Sequence, residues 1–211
     1  MSATLAVLRP EPGNAATARR IEALGHIALR LPLFEVRPLV WDMPDLAGVD
    51  ALLVTSANAI RHGGPGLAAL RHLPVVAVGA ATARAAEAAG FDVKLTGAGG
   101  VAEVLRDAGD LRLLHLAGRD RVQETGLPTL AVYASEPLPI GPTPLAGTIA
   151  LIHSPRAGVR LAEIMPVRRH TAIAALSAAV LAAAGIGWRS VAVAERPTDE
   201  ALIAAALALA D

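Results

Sequence analysis

Small polar side chains stand at the ends of apolar runs in two parts of the chain. The stretch LLVTSANA ends its run at Ser56 and Asn58. The stretch ALIHSPRAG has the same outline: its run ends at Ser154, and Arg156 follows two residues later. A helix-forming segment follows each run, so these side chains lie where the free N–H groups of a helix N-terminus favour anions. Serine and asparagine are also ordinary N-cap residues, so helix capping alone could explain either stretch. The occurrence of the same pattern twice favours anion binding.

A second pair of hydroxyls strengthens the repeat. Thr82 and Ser177 each open an alanine-rich segment after an apolar run, and these segments end at Gly90 and Gly185. When the two glycines are aligned, the two hydroxyls coincide, which indicates two similar α/β units in one chain. We therefore expect Thr82 and Ser177 to bind carboxylates together with nearby backbone N–H groups.

Arginines supply the positive charge at the expected strand ends. A guanidinium fork binds a carboxylate through two parallel hydrogen bonds, which makes arginine the preferred residue for such ligands. For Arg121, a solvated position on the surface is an equally good explanation. Two histidines also end strands, and we expect structural roles for them because no pair has metal-ligand spacing. The residues are Arg9, Arg119, Arg121 and Arg156, with His115 and His153.

The composition excludes several classes of function. The 211 residues include 19 Lys and Arg against 19 Asp and Glu, so no overall charge attracts nucleic acid or an anionic membrane. The chain has no cysteine, which excludes disulfides and thiol catalysis. No signal peptide is visible, and no apolar segment reaches the roughly 20 residues of a membrane helix. We expect a soluble, cytoplasmic protein without nucleic-acid or membrane partners.

Apolar runs alternate with helix-forming segments along the whole chain. TLAVL, DALLVT, PVVAVG, TIALIH and TAIAAL are predicted strands, and each precedes a segment with helical character. This alternation predicts parallel sheets with helices on both faces. Asn14 is the predicted N-cap of the first helix. Two extended segments flanked by proline, residues 31–39 and 129–139, interrupt the pattern.

These extended segments define the predicted domain organisation. The first repeated unit lies between them, so the strand, helix and strand before it must join the later unit. We predict an α/β fold with two parallel-sheet, three-layer domains of flavodoxin or Rossmann type. Residues 1–34 plus 136–211 would form a discontinuous first domain, and residues 38–130 would form a second domain inserted in it. A hinge of two antiparallel strands, 33–38 and 130–135, would join them, and strand carboxyl ends would line the cleft between.

Seven stretches in this order resemble the uroporphyrinogen-III synthase family. They are VLRPEPGNAATARRIEALGH, LLVTSANA, AVGAATARAAEAAGF, HLAGRDR, AVYASEP, IHSPRAG and AERPTDEALIAA. The resemblance spans essentially the whole chain and implies a lyase of tetrapyrrole (haem) biosynthesis that needs no cofactor or metal. Such an enzyme removes water from hydroxymethylbilane, closes the macrocycle and inverts the last pyrrole ring, giving uroporphyrinogen III.

The resemblance also implies roles for particular residues. Tyr133 is the only tyrosine, and it matches a hinge tyrosine thought to act near the leaving hydroxyl. A phenol could donate its proton to the departing oxygen, although an amphipathic side chain closing the hinge is the alternative. The family often has a Gly-Pro-Thr-Thr type sequence where this chain reads ALSAA, which keeps a hydroxyl at Ser177 but has Ala178 beside it. The expected substrate-binding residues are Arg9, Ser56, Asn58, Thr82, Arg119, Ser154, Arg156 and Ser177.

The sequence also leads to an expected partner protein and to an alternative class of protein. We expect a monomer that receives its substrate by transient hand-over from hydroxymethylbilane synthase. A non-catalytic two-lobe protein that closes on a small ligand, as a sensor or carrier, fits the same elements. A dinucleotide-binding enzyme fits poorly, because the first strand is followed by RPEPGNAA, with one glycine instead of a G-x-G-x-x-G pattern.

Overall fold

Strands and helices alternate in the computed structural model, which describes residues 2–98, 100–120 and 125–210. In this part of the chain no helix is both long and apolar enough to cross a membrane. The strands are β1 (Thr4–Val7), β2 (Ile27–Arg30), β3 (Phe34–Pro38), β4 (Ala51–Val54), β5 (Val75–Val78), β6 (Val93–Gly97), β7 (Leu113–Gly118), β8 (Thr129–Pro137), β9 (Ile149–Ile152), β10 (Ala172–Ala175) and β11 (Val191–Val193). The helices are α1 (Gly13–Ala23), α2 (Ala57–His62), α3 (Ala80–Ala88), α4 (Val101–Ala108), α5 (Pro155–Ile164), α6 (Ala178–Ala184) and α7 (Asp199–Leu207), with 3-10 turns at Pro65–Leu70 and Thr143–Leu145.

The chain divides into two compact units. The first unit comprises Met1–Glu35 and Pro137–Asp211, and the second comprises Val36–Glu136. The chain passes from one unit to the other within β3 and again at the end of β8. These two strands are neighbours in one sheet and correspond to the two extended segments of the sequence. Their antiparallel orientation and their role as a hinge stay predictions.

The sheet of the first unit has the strand order β2-β1-β9-β10-β11. Each neighbouring pair is parallel, and Leu5 of β1 pairs with Ala28 of β2 on one side and Ile149 of β9 on the other. Numbered along this unit, the order is 2-1-3-4-5, which is the flavodoxin order. The strand order therefore reverses between β1 and β9.

Alternate residues of these strands pack into two separate cores. Leu5, Val7 and Leu151 face α1 and α7, whereas Leu8 and Ile152 face α5 and α6. Both cores are apolar and buried, and this explains why β1, β9 and β10 read as continuous apolar runs. The unit has three layers, with a parallel sheet between two pairs of helices.

The sheet of the second unit has the strand order β6-β5-β4-β7-β8-β3. The pairs formed by β4 to β8 are parallel. Numbered from β4, the order is 3-2-1-4-5, which is the Rossmann order 3-2-1-4-5-6 without its last strand, and β3 extends the sheet at its edge. Helices α2 and α3 pack on one face and α4 on the other. The predicted α/β class with parallel, flavodoxin- or Rossmann-like sheets is confirmed.

The start of α1 differs from the sequence prediction. The N-cap is Pro12, so the prediction that Asn14 caps this helix is wrong. Asn14 is fully buried, and its Nδ2 donates to the carbonyls of Val7 at 2.8 Å and Arg9 at 2.9 Å. The side chain thus satisfies two backbone acceptors after β1, a pairing that sequence spacing does not reveal.

Candidate active site

The points of strand-order reversal are where open α/β sheets bind ligands, outside the carboxyl ends of the strands. In the first unit, β1 runs into Arg9, and β9 runs into His153 and Ser154. In the second unit the reversal lies between β4 and β7, which run into Ser56 and Arg119. Four of the predicted substrate-binding residues therefore adjoin a reversal point.

Arg9 has a fixed place at the carboxyl end of β1. Its Nη1 lies 3.5 Å from Oδ1 of Asp199, and 36% of the side chain is exposed. The guanidinium lies over Gly13, where a Cβ atom would be only 2.6 Å from Cζ of Arg9. A positive group is thus held at this edge of the sheet while part of it remains accessible.

Asp199 collects several donors at the N-terminus of α7. Its carboxylate accepts from Thr17 Oγ1 at 2.9 Å, His153 Nε2 at 2.8 Å and Arg20 Nη1 at 3.1 Å. The side chain is only 11% exposed. A carboxylate in the first turn of a helix is also favoured by the helix dipole. We did not single out this residue from the sequence.

The charge states of this pair follow from burial and mutual contact. Burial lowers the pKa of His153 below its ordinary value of 6.5, and the contact with Asp199 opposes this only in part. Burial raises the pKa of Asp199, but the hydrogen bonds from His153 and Thr17 and the nearby charges lower it by more. Near neutral pH, Asp199 is therefore anionic and His153 neutral, donating from Nε2.

Tyr133 lies in the middle of β8, next to the carboxyl end of β7. Tyr133 pairs with Gly118 across the β7–β8 ladder, and the N–H of Arg119 donates to the Tyr133 carbonyl at 2.8 Å. A Cβ atom at Gly118 would be 2.8 Å from Cζ of the tyrosine, so the half-buried ring packs directly on this glycine. The phenol is therefore beside the reversal point of the second unit.

Arg119 already pairs with carboxylates of its own unit. Its Nη2 donates to Glu136 at 2.7 Å, and its Nε lies 3.5 Å from Asp120. The hydrogen bond with Glu136, more than the one with Asp120, raises the pKa of Arg119. A ligand carboxylate would have to share this guanidinium or displace one of these partners.

A buried histidine inside β7 contacts the residue that follows β4, so the prediction that His115 ends a strand is wrong. His115 is 1% exposed, with Nε2 3.0 Å from the hydroxyl of Thr55 and Nδ1 3.3 Å from that of Thr125. Both ring nitrogens have hydroxyl neighbours, as the expected structural role requires. From the sequence, Thr55 is notable only as the residue before Ser56. Its contact with His115 arises because both of these side chains lie on the face of the sheet that α4 covers.

Three of the predicted hydroxyls cap helices. Ser56 Oγ accepts from Asn58 N at 3.2 Å, and Ser154 Oγ accepts from Ala157 N at 3.2 Å. Ser177 Oγ accepts from the N–H of Val180 at 3.4 Å. In each case the hydroxyl proton remains a donor that an anion could use. Capping is thus observed, and substrate binding by Ser56, Asn58, Ser154 and Ser177 stays a prediction.

Thr82 lies elsewhere than its alignment with Ser177 suggests, whereas Arg156 lies near a helix start, as expected. Helix α3 begins at Ala80 after Gly79, which has φ of 94°, so the prediction that Thr82 opens this helix is wrong. Thr82 is in the first turn and is 5% exposed. Arg156 is near the start of α5, with Cζ 4.4 Å from the centroid of the Phe34 ring. Arg121 lies outside the described residues.

Two doubly wound units with arginine and hydroxyl side chains at their strand ends define a class, the α/β proteins that bind small ligands at a sheet edge. Within the described ranges, no three His, Asp or Glu side chains are grouped to hold a metal ion. The family model described as uroporphyrinogen-III synthase HemD matches residues 15–125, which is more than half of the chain. The chain belongs to the uroporphyrinogen-III synthase family, and its resemblance to that family is confirmed.

Solved structures of this family have the same fold. The chain superposes on uroporphyrinogen-III synthetase from Helicobacter pylori 26695 with a TM-score of 0.71 and 18% identity, covering 99% of this chain and 100% of that chain. A mutant uroporphyrinogen III synthase from the extremely thermophilic bacterium Thermus thermophilus gives a TM-score of 0.59 and 18% identity, with 99% of each chain covered. None of the curated proteins matches the chain in sequence.

Proposed function

We propose that this chain is a cyclising hydro-lyase that converts hydroxymethylbilane to uroporphyrinogen III and water. The observation that carries this proposal is the family match. The sole tyrosine of the chain lies on β8, where it pairs with Gly118 at the end of β7, next to Arg119. The alternative of a non-catalytic two-lobe protein has no comparable support.

The chemistry asks for orientation more than for strong acids or bases. The electron-rich terminal pyrrole expels its hydroxyl as water once the oxygen receives a proton, which leaves an azafulvene cation. The substituted carbon of the last pyrrole must then bond to the azafulvene carbon, which gives a spirocyclic intermediate. The bond from that substituted carbon to its former methylene bridge breaks, the methylene bonds to the free carbon on the other side of the ring, and that carbon loses its proton. Holding the chain in the reactive arrangement lowers the entropic part of the barrier.

Different residues of this chain would serve the loss of water and the binding of the substrate. Tyr133 would donate a hydrogen bond or proton to the departing oxygen. Carboxylates of the substrate would be bound by Arg9 and Arg119 and by the capping hydroxyls, together with Thr82, Asn58 and Arg156. No step requires a cofactor. The balanced formal charge is consistent with a protein that has no nucleic-acid or membrane partner. We also propose a cytoplasmic monomer with transient hand-over from hydroxymethylbilane synthase.

A turnover assay with hydroxymethylbilane tests the proposal. The type III product must be separated from the type I product, since spontaneous closure gives only the uninverted type I isomer. We expect the wild-type chain to give type III. Formation of type I alone, at the spontaneous rate, would overturn the enzyme assignment and favour the two-lobe binding protein.

A further inference from the structure

Arg9 differs from its neighbour Arg20 in how its donors are used. Arg20 forms hydrogen bonds of 3.1 Å to Asp199 and 3.0 Å to Glu200. Arg9 faces Asp199 at 3.5 Å, and within the described ranges its guanidinium forms no hydrogen bond. A guanidinium offers five N–H donors in a planar fork, so Arg9 keeps donors for a further anion. With about a third of its side chain exposed, those donors are accessible.

Gly13 determines how close the guanidinium lies to α1. A Cβ atom at this position would be 2.6 Å from Cζ and 2.8 Å from Nη2 of Arg9, so any larger residue would displace the group. The displaced atoms are the far end of a flexible side chain, and they can move at small cost to the fold. Gly13 therefore affects the position of Arg9 more than the stability of the helix.

Asp199 determines where the guanidinium points. Its carboxylate is itself fixed by Thr17 and His153, both at hydrogen-bonding distance. The position of the negative charge is thus set from two other elements, α1 and the end of β9. A charge held in this way orients a nearby guanidinium without using its hydrogen bonds, because the attraction acts at 3.5 Å and beyond.

We propose that Gly13 and Asp199 are positioning residues that hold Arg9 ready to bind one carboxylate of the substrate at the strand-order reversal of the first unit. The inference rests on the proposed function for the identity of the ligand. Neither residue touches the substrate in this proposal. They act through the guanidinium, which lies over Gly13 and faces Asp199 at the end of β1.

The test compares Gly13→Ala, Asp199→Asn and Arg9→Ala with the matched control Glu200→Gln. Glu200 is the next acid in the same helical turn, but it pairs with Arg20 and not with Arg9. We expect each of the first three variants to raise the KM for hydroxymethylbilane about fivefold or more, the size of coupling between contacting residues, with kcat within about twofold. The salt dependence of KM should also become shallower, since an ion pair is weakened. Glu200→Gln should change neither.

Three additional measurements keep the inference separate from folding and from the proposed function. Gly13→Ala should unfold at the same or a higher urea concentration, because alanine lowers the entropy of the unfolded chain. In an Arg9→Ala background, Gly13→Ala should have no further effect on KM. Direct binding of uroporphyrin III, an octacarboxylate, should weaken in the same three variants.

The outcomes are distinguishable. An active wild-type enzyme whose Gly13→Ala variant has an unchanged KM overturns the inference and leaves the proposed function intact. A wild-type chain that binds uroporphyrin III, more weakly when Arg9 or Gly13 is replaced by alanine, but forms no type III product supports the inference and overturns the function. If KM rises in Gly13→Ala even without Arg9, the effect does not pass through the guanidinium, and the inference is wrong.

Discussion

The ring of Tyr133 occupies the space that a side chain at Gly118 would need. A Cβ atom on Gly118 would lie 2.8 Å from Cζ and 3.0 Å from the phenol oxygen of Tyr133. The ladder between β7 and β8 shifts its register between Ala117 and Gly118, and this irregularity sets the glycine opposite the tyrosine. A glycine and a local irregularity in the strand pairing together fix the position of the phenol.

Gly118→Ala should displace the tyrosine ring and slow turnover. Because the added methyl group overlaps the ring in a packed strand pair, we also expect the free energy of unfolding to fall by about 1–3 kcal/mol. Steady-state kinetics and urea unfolding measure the two effects. The control is Gly141→Ala, at a glycine with open space around it and no positive φ, which should change neither quantity. Wild-type turnover in Gly118→Ala would show that the ring position is unimportant.

Tyr133→Phe should slow the elimination step without disturbing the packing. The ring that rests on Gly118 is retained, and only the hydroxyl is removed. Loss of one hydrogen-bond donor should reduce kcat by an amount equivalent to about 1–3 kcal/mol, with little change in unfolding. The product should remain type III as long as the enzyme is faster than spontaneous closure. Unchanged kcat would mean that Tyr133 only packs in the strand pair.

Ser154 variants separate helix capping from substrate binding. Ser154→Ala removes the acceptor for Ala157 N and should destabilise the protein by about 1 kcal/mol. Ser154→Asp restores the cap but adds a negative charge near the expected position of a substrate carboxylate. We expect Ser154→Asp to unfold like wild type and yet to have a higher KM for hydroxymethylbilane. If both variants keep the wild-type KM, Ser154 is a cap and nothing more.

The stability of the protein should fall as the pH is lowered from about 7, and His153 should cause part of that loss. Burial holds the pKa of His153 below 6.5 in the folded state, so the unfolded chain takes up this proton at a higher pH than the folded chain. The contribution is present above the unfolded pKa and is lost as pH falls through the folded one. His153→Gln can still donate to Asp199 but cannot titrate.

Unfolding by urea at a series of pH values between about 5 and 8 measures this effect, since the histidine reference pKa lies in that range. The curve of unfolding free energy against pH should be flatter for His153→Gln than for wild type. Identical slopes for the two proteins would show that His153 takes up its proton equally in the folded and unfolded states.

The α/β fold class could be predicted because the alternation of apolar runs and helix-forming segments is visible in the local sequence. The buried runs ALLV of β4 and IALI of β9 are apolar at every position, and α2, α4 and α6 each have a glycine as the C-cap residue. Ser56 and Ser154 could be recognised as helix starts because each lies between such an apolar run and a helix-forming segment. The two errors, at Asn14 and Thr82, concern helix starts where proline or glycine is the N-cap residue and the polar side chain is buried within the first turn.

The cluster around Asp199 could not be predicted from local sequence. PTDE indicates a helix start, and an acid in the first turn is ordinary there. The hydrogen bond from Thr17 comes from α1, far away along the chain, and depends on α1 and α7 packing on one face of the sheet. A partial signal exists in the strands. Arg9 continues the alternation of Leu5 and Val7, as His153 continues that of Ile149 and Leu151, which places both on this face.

The central position of β1 in its sheet has a consequence for synthesis on the ribosome. Leu5 pairs with Ile149, so one neighbour of β1 does not exist until the whole second unit, Val36–Glu136, has been translated. At about 5–20 residues per second, that interval lasts on the order of 5–20 seconds. During this time the second unit can fold on its own, because its strands β4 to β8 are contiguous in the chain. The backbone N–H and C=O groups along one edge of β1 remain without their partner strand, and this segment of the nascent polypeptide is where a chaperone would be needed.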